Sequence, residues 1–348
     1  MKPNSSSLTN RYNKIAFSLF VIVLINGILL FILEGCNAGE KKSLSKVILA
    51  EAMQPVCAPV YVAIDKGFFI EHGIEVQTVS FQKGKLCLDA VLGGKADIAT
   101  VAETPIMHVG FQNQPIAILS SIHNADKNTK CVARKDKKIS KPQDLKGHRI
   151  GVPIGGNAEY LMDIFLMKYG LSRKDVTIIN LNPPEMVGAI VRGDIDASFS
   201  WEPYVTRTIN QVGEKNTIVF YGDDIYRETF ELVSMKDWSL KNSVVAENFL
   251  RALIEAVDYI QKHRDESIRI VSPHVQLDTL ELSRIWNYYT FSIELREGLN
   301  SLLRDQAKWA IASGIQKGEI PDYSKMFFPK ALISINPSLV DSIFKKLE

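Results

Sequence analysis

Two stretches of the chain repeat one pattern of apolar and polar positions. In Val191-Arg192-Gly193-Asp194-Ile195-Asp196-Ala197-Ser198-Phe199-Ser200-Trp201-Glu202-Pro203-Tyr204 an apolar run stops at a glycine and a short, largely apolar segment follows. The spacing predicts a helix ended by Gly193, a buried strand over Ile195–Ser200 and a new helix opened by Pro203. Upstream, Val91–Pro105 repeats the pattern, with Gly94 on Gly193, Asp97 on Asp196 and Glu103 on Glu202. The match extends back. Glu75–Val79 answers Val176–Asn180. Lys46–Glu51, with a helix ending Lys66-Gly67-Phe68, answers His148–Val152, with a helix ending Tyr169-Gly170-Leu171. Each half reads strand–helix–strand–helix–strand–helix, which predicts parallel sheets in an α/β fold. Shared α/β grammar can mimic a duplication, but two similar α/β lobes follow either way.

Other periodicities fill in the frame. Val60, Ile64 and Phe68 recur at helical spacing and are expected to face a sheet. The last hundred residues read as helices, with an apolar stripe from Phe249 to Ile260 and similar patterns over 277–289 and 299–313. Trp286, Tyr288, Tyr289 and Phe291 read as core, or as one ring leaning into a cleft. Lys130–Arg134 and Phe230–Met235 read as extended segments that cross between the lobes.

Composition is that of a globular chain, 46% hydrophobic and 23% charged. The net charge of +2 comes from the N-terminus, where residues 1–35 carry Lys2, Arg11 and Lys14 against Glu34. The neutral remainder gives no electrostatic case for nucleic acid. Residues 15–33 form an apolar run behind that basic start, the grammar of a secretory signal. The run then meets Leu33-Glu34-Gly35-Cys36, which resembles the bacterial lipoprotein box, except that Glu34 stands where a small or apolar residue is usual. The readings are a lipoprotein with Cys36 lipidated, a plain signal, or an uncleaved anchor, since the run approaches the roughly 20 residues that span a bilayer. All three export the body to the periplasm or the outer face of the cytoplasmic membrane. Residues 1–36 are then the signal segment and 37–45 a tether.

Pro59-Val60-Tyr61-Val62-Ala63-Ile64-Asp65-Lys66-Gly67-Phe68-Phe69, followed by Gly73-Ile74-Glu75-Val76, resembles the opening of the nitrate/sulfonate/taurine-type solute-binding proteins of ABC importers, a group that includes thiamine-precursor binders. Asp144–Val152, Gly193–Ala197, Trp201-Glu202-Pro203 and Pro321-Asp322-Tyr323 agree in order and spacing. The resemblance implies a type II periplasmic-binding fold, with lobe I from 44–130 and 230–348, lobe II from 131–229, and a two-strand hinge. It also implies a monomer that captures a small solute between the lobes and delivers it to an ABC permease and ATPase. No cofactor, metal or catalysis is implied. The histidines form no metal-spaced cluster, and neither His-Glu-x-x-His nor Gly-x-Ser-x-Gly occurs. Thiamine- or menaquinone-pathway enzymes on the same fold, or a ligand sensor, remain the alternatives; Cys57, Cys87 and Cys131 do not reproduce the cysteine-rich segment of the pyrimidine synthases.

If the fold holds, the strand-to-helix loops carry the ligand. They offer Met53, Gln54 and Cys57; Gly84 and Lys85; Glu103 and Thr104; Gly155, Gly156 and Asn157; and Trp201 with Glu202. Gly155-Gly156 permits close backbone approach and Asn157 can cap the next helix, either around an oxygen-rich group or as a cap alone. Glu103 and Glu202 are expected to point into the cleft and favour a ligand with N–H donors or an amine over a bare anion such as nitrate. Their alternative role is a local interaction with a helix N-terminus. Cys57 and Cys87 are expected side by side, as a disulfide, a thiol-lined pocket or buried bystanders.

Overall fold

The computed structural model describes residues 44–346, so the expected signal segment, Cys36 with its expected lipidation, and most of the expected tether lie outside the described residues. No helix among the described residues is long and apolar enough to cross a membrane.

In chain order the elements are β1 (Ser45–Ala52), α1 (Ala58–Asp65), β2 (Ile74–Phe81), α2 (Gly84–Leu92), β3 (Ile98–Ala102), α3 (Glu103–Phe111), β4 (Ile116–Ala125), β5 (Lys130–Arg134), β6 (Arg149–Val152), α4 (Asn157–Lys168), β7 (Thr177–Asn180), α5 (Pro183–Arg192), β8 (Ala197–Ser200), α6 (Tyr204–Val212), β9 (Thr217–Phe220), β10 (Glu228–Met235), α7 (Ser243–Lys262), α8 (Arg264–Val275), α9 (Thr279–Ile285), β11 (Tyr289–Glu294) and α10 (Glu297–Ala312). They build two sheets, one of six strands in the order β11-β4-β10-β3-β1-β2 and one of five in the order β7-β6-β8-β5-β9. Each sheet has its own apolar core, one around Leu49, Ile98, Phe249 and Leu303, the other around Ile150, Phe165 and Phe199.

The sequence echo is a structural echo. β1 lies between β2 and β3, all parallel, as β6 lies between β7 and β8. The two aspartates hold the same joint. Asp97 Oδ2 accepts from Ile48 N at 2.8 Å, and Asp196 Oδ2 from Arg149 N at 3.0 Å. Gly94 and Gly193 both adopt positive φ, +66° and +82°, as the turn after each helix requires. Pro203 caps α6 from outside rather than opening it.

The chain passes between the sheets twice, from β4 to β5 through residues 126–129 and from β9 to β10 through 221–227. β5 and β10 each run antiparallel to their neighbours. The C-terminal ends of the parallel strands in both sheets face the space beside these crossings, where α/β folds place ligands. One detail departs from the periodicity. Ile64 is exposed, whereas Ala58–Ala63 is buried continuously, because α1 lies between the sheet and the helices α7 and α8, so no single stripe marks its inner face.

Candidate functional site

A cleft forms where the strand-to-helix loops of the two sheets meet. The six-stranded side supplies Gln54, Lys83, Gly84, Lys85, Ala102, Pro105 and Phe230. The five-stranded side supplies Pro153, Ile154, Gly155, Gly156, Asn157 and Trp201. The cleft is nearly shut, with free space of about 20 Å³, room for little more than a water. The Lys83 ammonium donates to Asn182 Oδ1 at 2.9 Å and so ties one side to the other.

Two helix starts border this space, and no side chain caps either. α2 begins at Gly84 after Lys83, and α4 begins at Asn157 after Gly156. First-turn N–H groups have no carbonyl inside their own helix, so an uncapped start presents donors and partial positive charge. The Gly155 N–H is already taken by Glu159 Oε2 at 2.7 Å. Gly84 is forced by packing: a Cβ there would sit 2.9 Å from Val101 Cα and 3.1 Å from the Phe230 ring. That lets the start of α2 lie directly on β3. Trp201 is 5% exposed and its Nε1–H has no partner. Burial, and then the Lys85 ammonium beside it, pull Lys83 below its ordinary pKa. The Asp89 and Glu185 carboxylates oppose that fall, and Lys85 is itself paired with Asp89 at 2.8 Å.

Among the described residues no aspartate or glutamate lines the cleft. This corrects the expected role of the two glutamates. Glu103 is fully buried; it accepts from the Tyr226 hydroxyl, from Gln306 Nε2 at 2.8 Å and from Thr229 N at 3.2 Å. Burial raises its pKa, and these donors oppose the rise. Glu202 lines a separate space with Lys130, Tyr221 and Tyr288, pairs with the Lys130 ammonium at 2.8 Å and accepts from Thr206 N at 3.0 Å. With both carboxylates consumed inside the fold, nothing in the cleft favours an amine over an anion.

This donor-lined cleft sits on a sequence that the NMT1/THI5-like family profile matches over residues 54–267. The chain belongs to the NMT1/THI5-like family. A Bacillus subtilis (strain 168) protein named for aliphatic sulfonates binding is 27% identical over 295 residues, spanning 82% of this chain and 85% of that one. The taurine-binding periplasmic protein of Escherichia coli K12 is 28% identical over 210 residues, 59% of this chain and 64% of its own. The crystal structure of the Escherichia coli periplasmic aliphatic sulphonate binding protein superposes with a TM-score of 0.71 at 16% identity, covering 84% of this chain and all of that one. That likeness shows the fold: the two-lobed type II periplasmic-binding architecture implied by the sequence is the architecture of this family member.

Of the loop residues singled out from sequence, the cleft brings together Gln54, Gly84, Lys85, Gly155, Gly156, Asn157 and Trp201. Met53, Cys57, Glu103, Thr104 and Glu202 do not line it. Met53 donates its backbone N–H to Phe81 O and stays with the sheet, while Thr104 is buried and donates to Glu103. Asn157 does not cap α4. Its amide reaches Thr129 Oγ1 at 3.1 Å and Glu228 Oε2 at 3.0 Å, tying the cleft helix to the first crossing and to the start of β10. Cys57 and Cys87 are free, buried thiols on either side of Thr100, without a disulfide, and burial raises both. Trp286, Tyr289 and Phe291 are core, whereas the Tyr288 ring covers the Lys130 ammonium at 4.5 Å. Lys83, Pro105 and Ile154 line the cleft from loops that the sequence had marked, whereas Ala102, Pro153 and Phe230 were missed as lining residues. These three carry no signal beyond hydrophobicity.

Proposed function

We propose that this chain is the exported solute receptor of an ABC importer, which closes its two lobes over a small organic oxyanion and passes it to a permease and ATPase. The family and the named relatives support transport by capture. The observation that carries the ligand class is the lining: two uncapped helix starts, two lysines and the unpartnered Trp201 Nε1–H, with no carboxylate. Such an arrangement stabilises an oxyanion through oriented N–H groups as well as charge. Pro105, Ile154, Phe230 and the Trp201 ring add an apolar wall, so a sulfonate or related acid on a short carbon chain fits better than nitrate. The cleft is too small for such a ligand as it stands, so the lobes open about the crossings 126–129 and 221–227 to admit it. Export and anchoring at Cys36, lobe boundaries near residues 130 and 230, action as a monomer, and capture without chemical conversion complete the reading.

Calorimetric titration with ethanesulfonate, taurine, nitrate and ethylamine tests it. Sulfonate binding is expected, with compaction on small-angle scattering, and Trp201→Phe should weaken it about tenfold through loss of one buried hydrogen bond to a charged group. Binding of ethylamine with no response to any anion would overturn the ligand class.

A further inference from the structure

Most of the buried polar side-chain atoms that lack a partner among the described residues are not in the cleft. They sit on β4, β10 and α10, and those of His123, Asn124 and Thr229 belong to residues that line a separate cavity of about 470 Å³ in the six-stranded half. That volume is within the range of small-molecule sites. His123 lines it; the residue is wholly buried, and neither ring nitrogen has a hydrogen-bond partner. Its ring is fixed between Phe230 and Tyr289. Asn124 Oδ1 and Thr229 Oγ1 line the same space and are also unpartnered. Behind them lies Glu231, fully buried on the same face of β10 as Thr229, with one carboxyl oxygen receiving Ser121 at 3.4 Å and the other without a well-formed hydrogen bond, although the Thr229 hydroxyl lies near enough to favour its charged form. Each unsatisfied buried group costs about 1–3 kcal/mol, so this concentration calls for an occupant.

The chemistry of the occupant follows from what is missing. Asn124 Oδ1, the Glu231 carboxyl and one imidazole nitrogen all require donors, and the Thr229 hydroxyl can accept one. At the rim, Arg227 and Arg296 stand with Glu294 and Asp305, and Arg296 is already held by Glu294 and by Asp341. Inside, the remaining charged or titratable neighbours are the Tyr289 phenol, whose ring packs on His123, and the carboxyls of Glu103 and of Glu228, the latter 3.8 Å from His123 Nε2. No lysine lines the cavity. We propose that this cavity is a second binding site, separate from the cleft, for a small primary ammonium compound whose N–H groups reach Asn124, Thr229 and His123 and whose charge is balanced by Glu231. Burial and the Glu103 carboxylate hold Glu231 well above its ordinary pKa, so ammonium binding displaces a proton and tightens as pH rises.

The test uses the full chain with methylammonium chloride as probe and tetramethylammonium chloride, which has no N–H, as control at equal ionic strength. Methylammonium should bind and raise Tm, more tightly at pH 8 than at pH 6, and tetramethylammonium should not. Glu231→Gln and Thr229→Val should each weaken it about tenfold, with folding checked by circular dichroism; Thr229→Val covers the case in which the Glu231 variant fails to fold. Lys83→Gln, in the cleft, should leave it unchanged. Equal binding of tetramethylammonium, full affinity in both Glu231→Gln and Thr229→Val, or a crystal structure at saturating methylammonium with only water in the cavity would each overturn the proposal.

Discussion

The two β–α–β halves, β1 to α3 and β6 to α6, are alike in backbone and unlike in charge. Each has its aspartate joint, its positive-φ glycine and a buried glutamate after the third strand. Yet Glu202 meets a lysine, and Glu103 meets a tyrosine, a glutamine and a backbone amide. The partners come from outside the repeat: Lys130 from β5, Tyr226 from the second crossing and Gln306 from α10. An echo in sequence therefore preserves what a residue does for its own strand and not what its side chain meets. The helix starts differ in the same way. α2 lies tight against β3, whereas a Cβ on Gly156 would find only Pro153 O at 3.8 Å.

The widest contrast is expected between the glutamates. Lys130→Met leaves Glu202 buried without its cation and should cost about 3–5 kcal/mol of stability by denaturant unfolding. Glu103→Gln keeps a carbonyl acceptor and strands no charge, so its loss should stay within about 1–2 kcal/mol. Equal losses would break the comparison. Next come the glycines. Gly84→Ala must push β3 or Phe230 aside and should cost about 1–3 kcal/mol, whereas Gly156→Ala should change stability by less than about 0.5 kcal/mol; a reversal would mean that α2 is not held as tightly as its contacts require.

The smallest effect is a slope with pH. Glu228 belongs to neither half; it receives Asn128 and Thr129 from one crossing and Asn157 from the cleft helix. Burial, reinforced by the Glu103 charge, pushes it up from 4.5 to about 7. The folded state then holds a proton that the unfolded chain releases near 4.5. The group's stabilising contribution is present below that value and is lost as pH rises to about 7. Glu228→Gln should flatten this part of the Tm–pH curve, and an unchanged slope would assign it to other groups.

The element order, the parallel sheets and the loops that meet at the cleft were legible because alternation, glycine turns and strand ends are local features of the chain. Gly84, Gly155, Gly156 and Trp201 could be placed from their positions at strand ends alone. The direction of Glu103 and Glu202 was not legible, since a strand-end side chain can turn either to the cleft or to the packed interior. The choice depended on Tyr226, Gln306 and Lys130, which are remote from those glutamates along the chain.

By itself, then, the sequence determined two α/β lobes and the loops that meet at the cleft, because hydrophobic period and turn chemistry act over a few residues. Only the tertiary structure decided the sign of the cleft. Buried carboxylates are stable only where distant donors or cations meet them, and the fold meets these away from the cleft. What remains there is a set of uncapped helix starts and two lysines, whose nearest partners are Asn182 for Lys83 and Asp89 for Lys85.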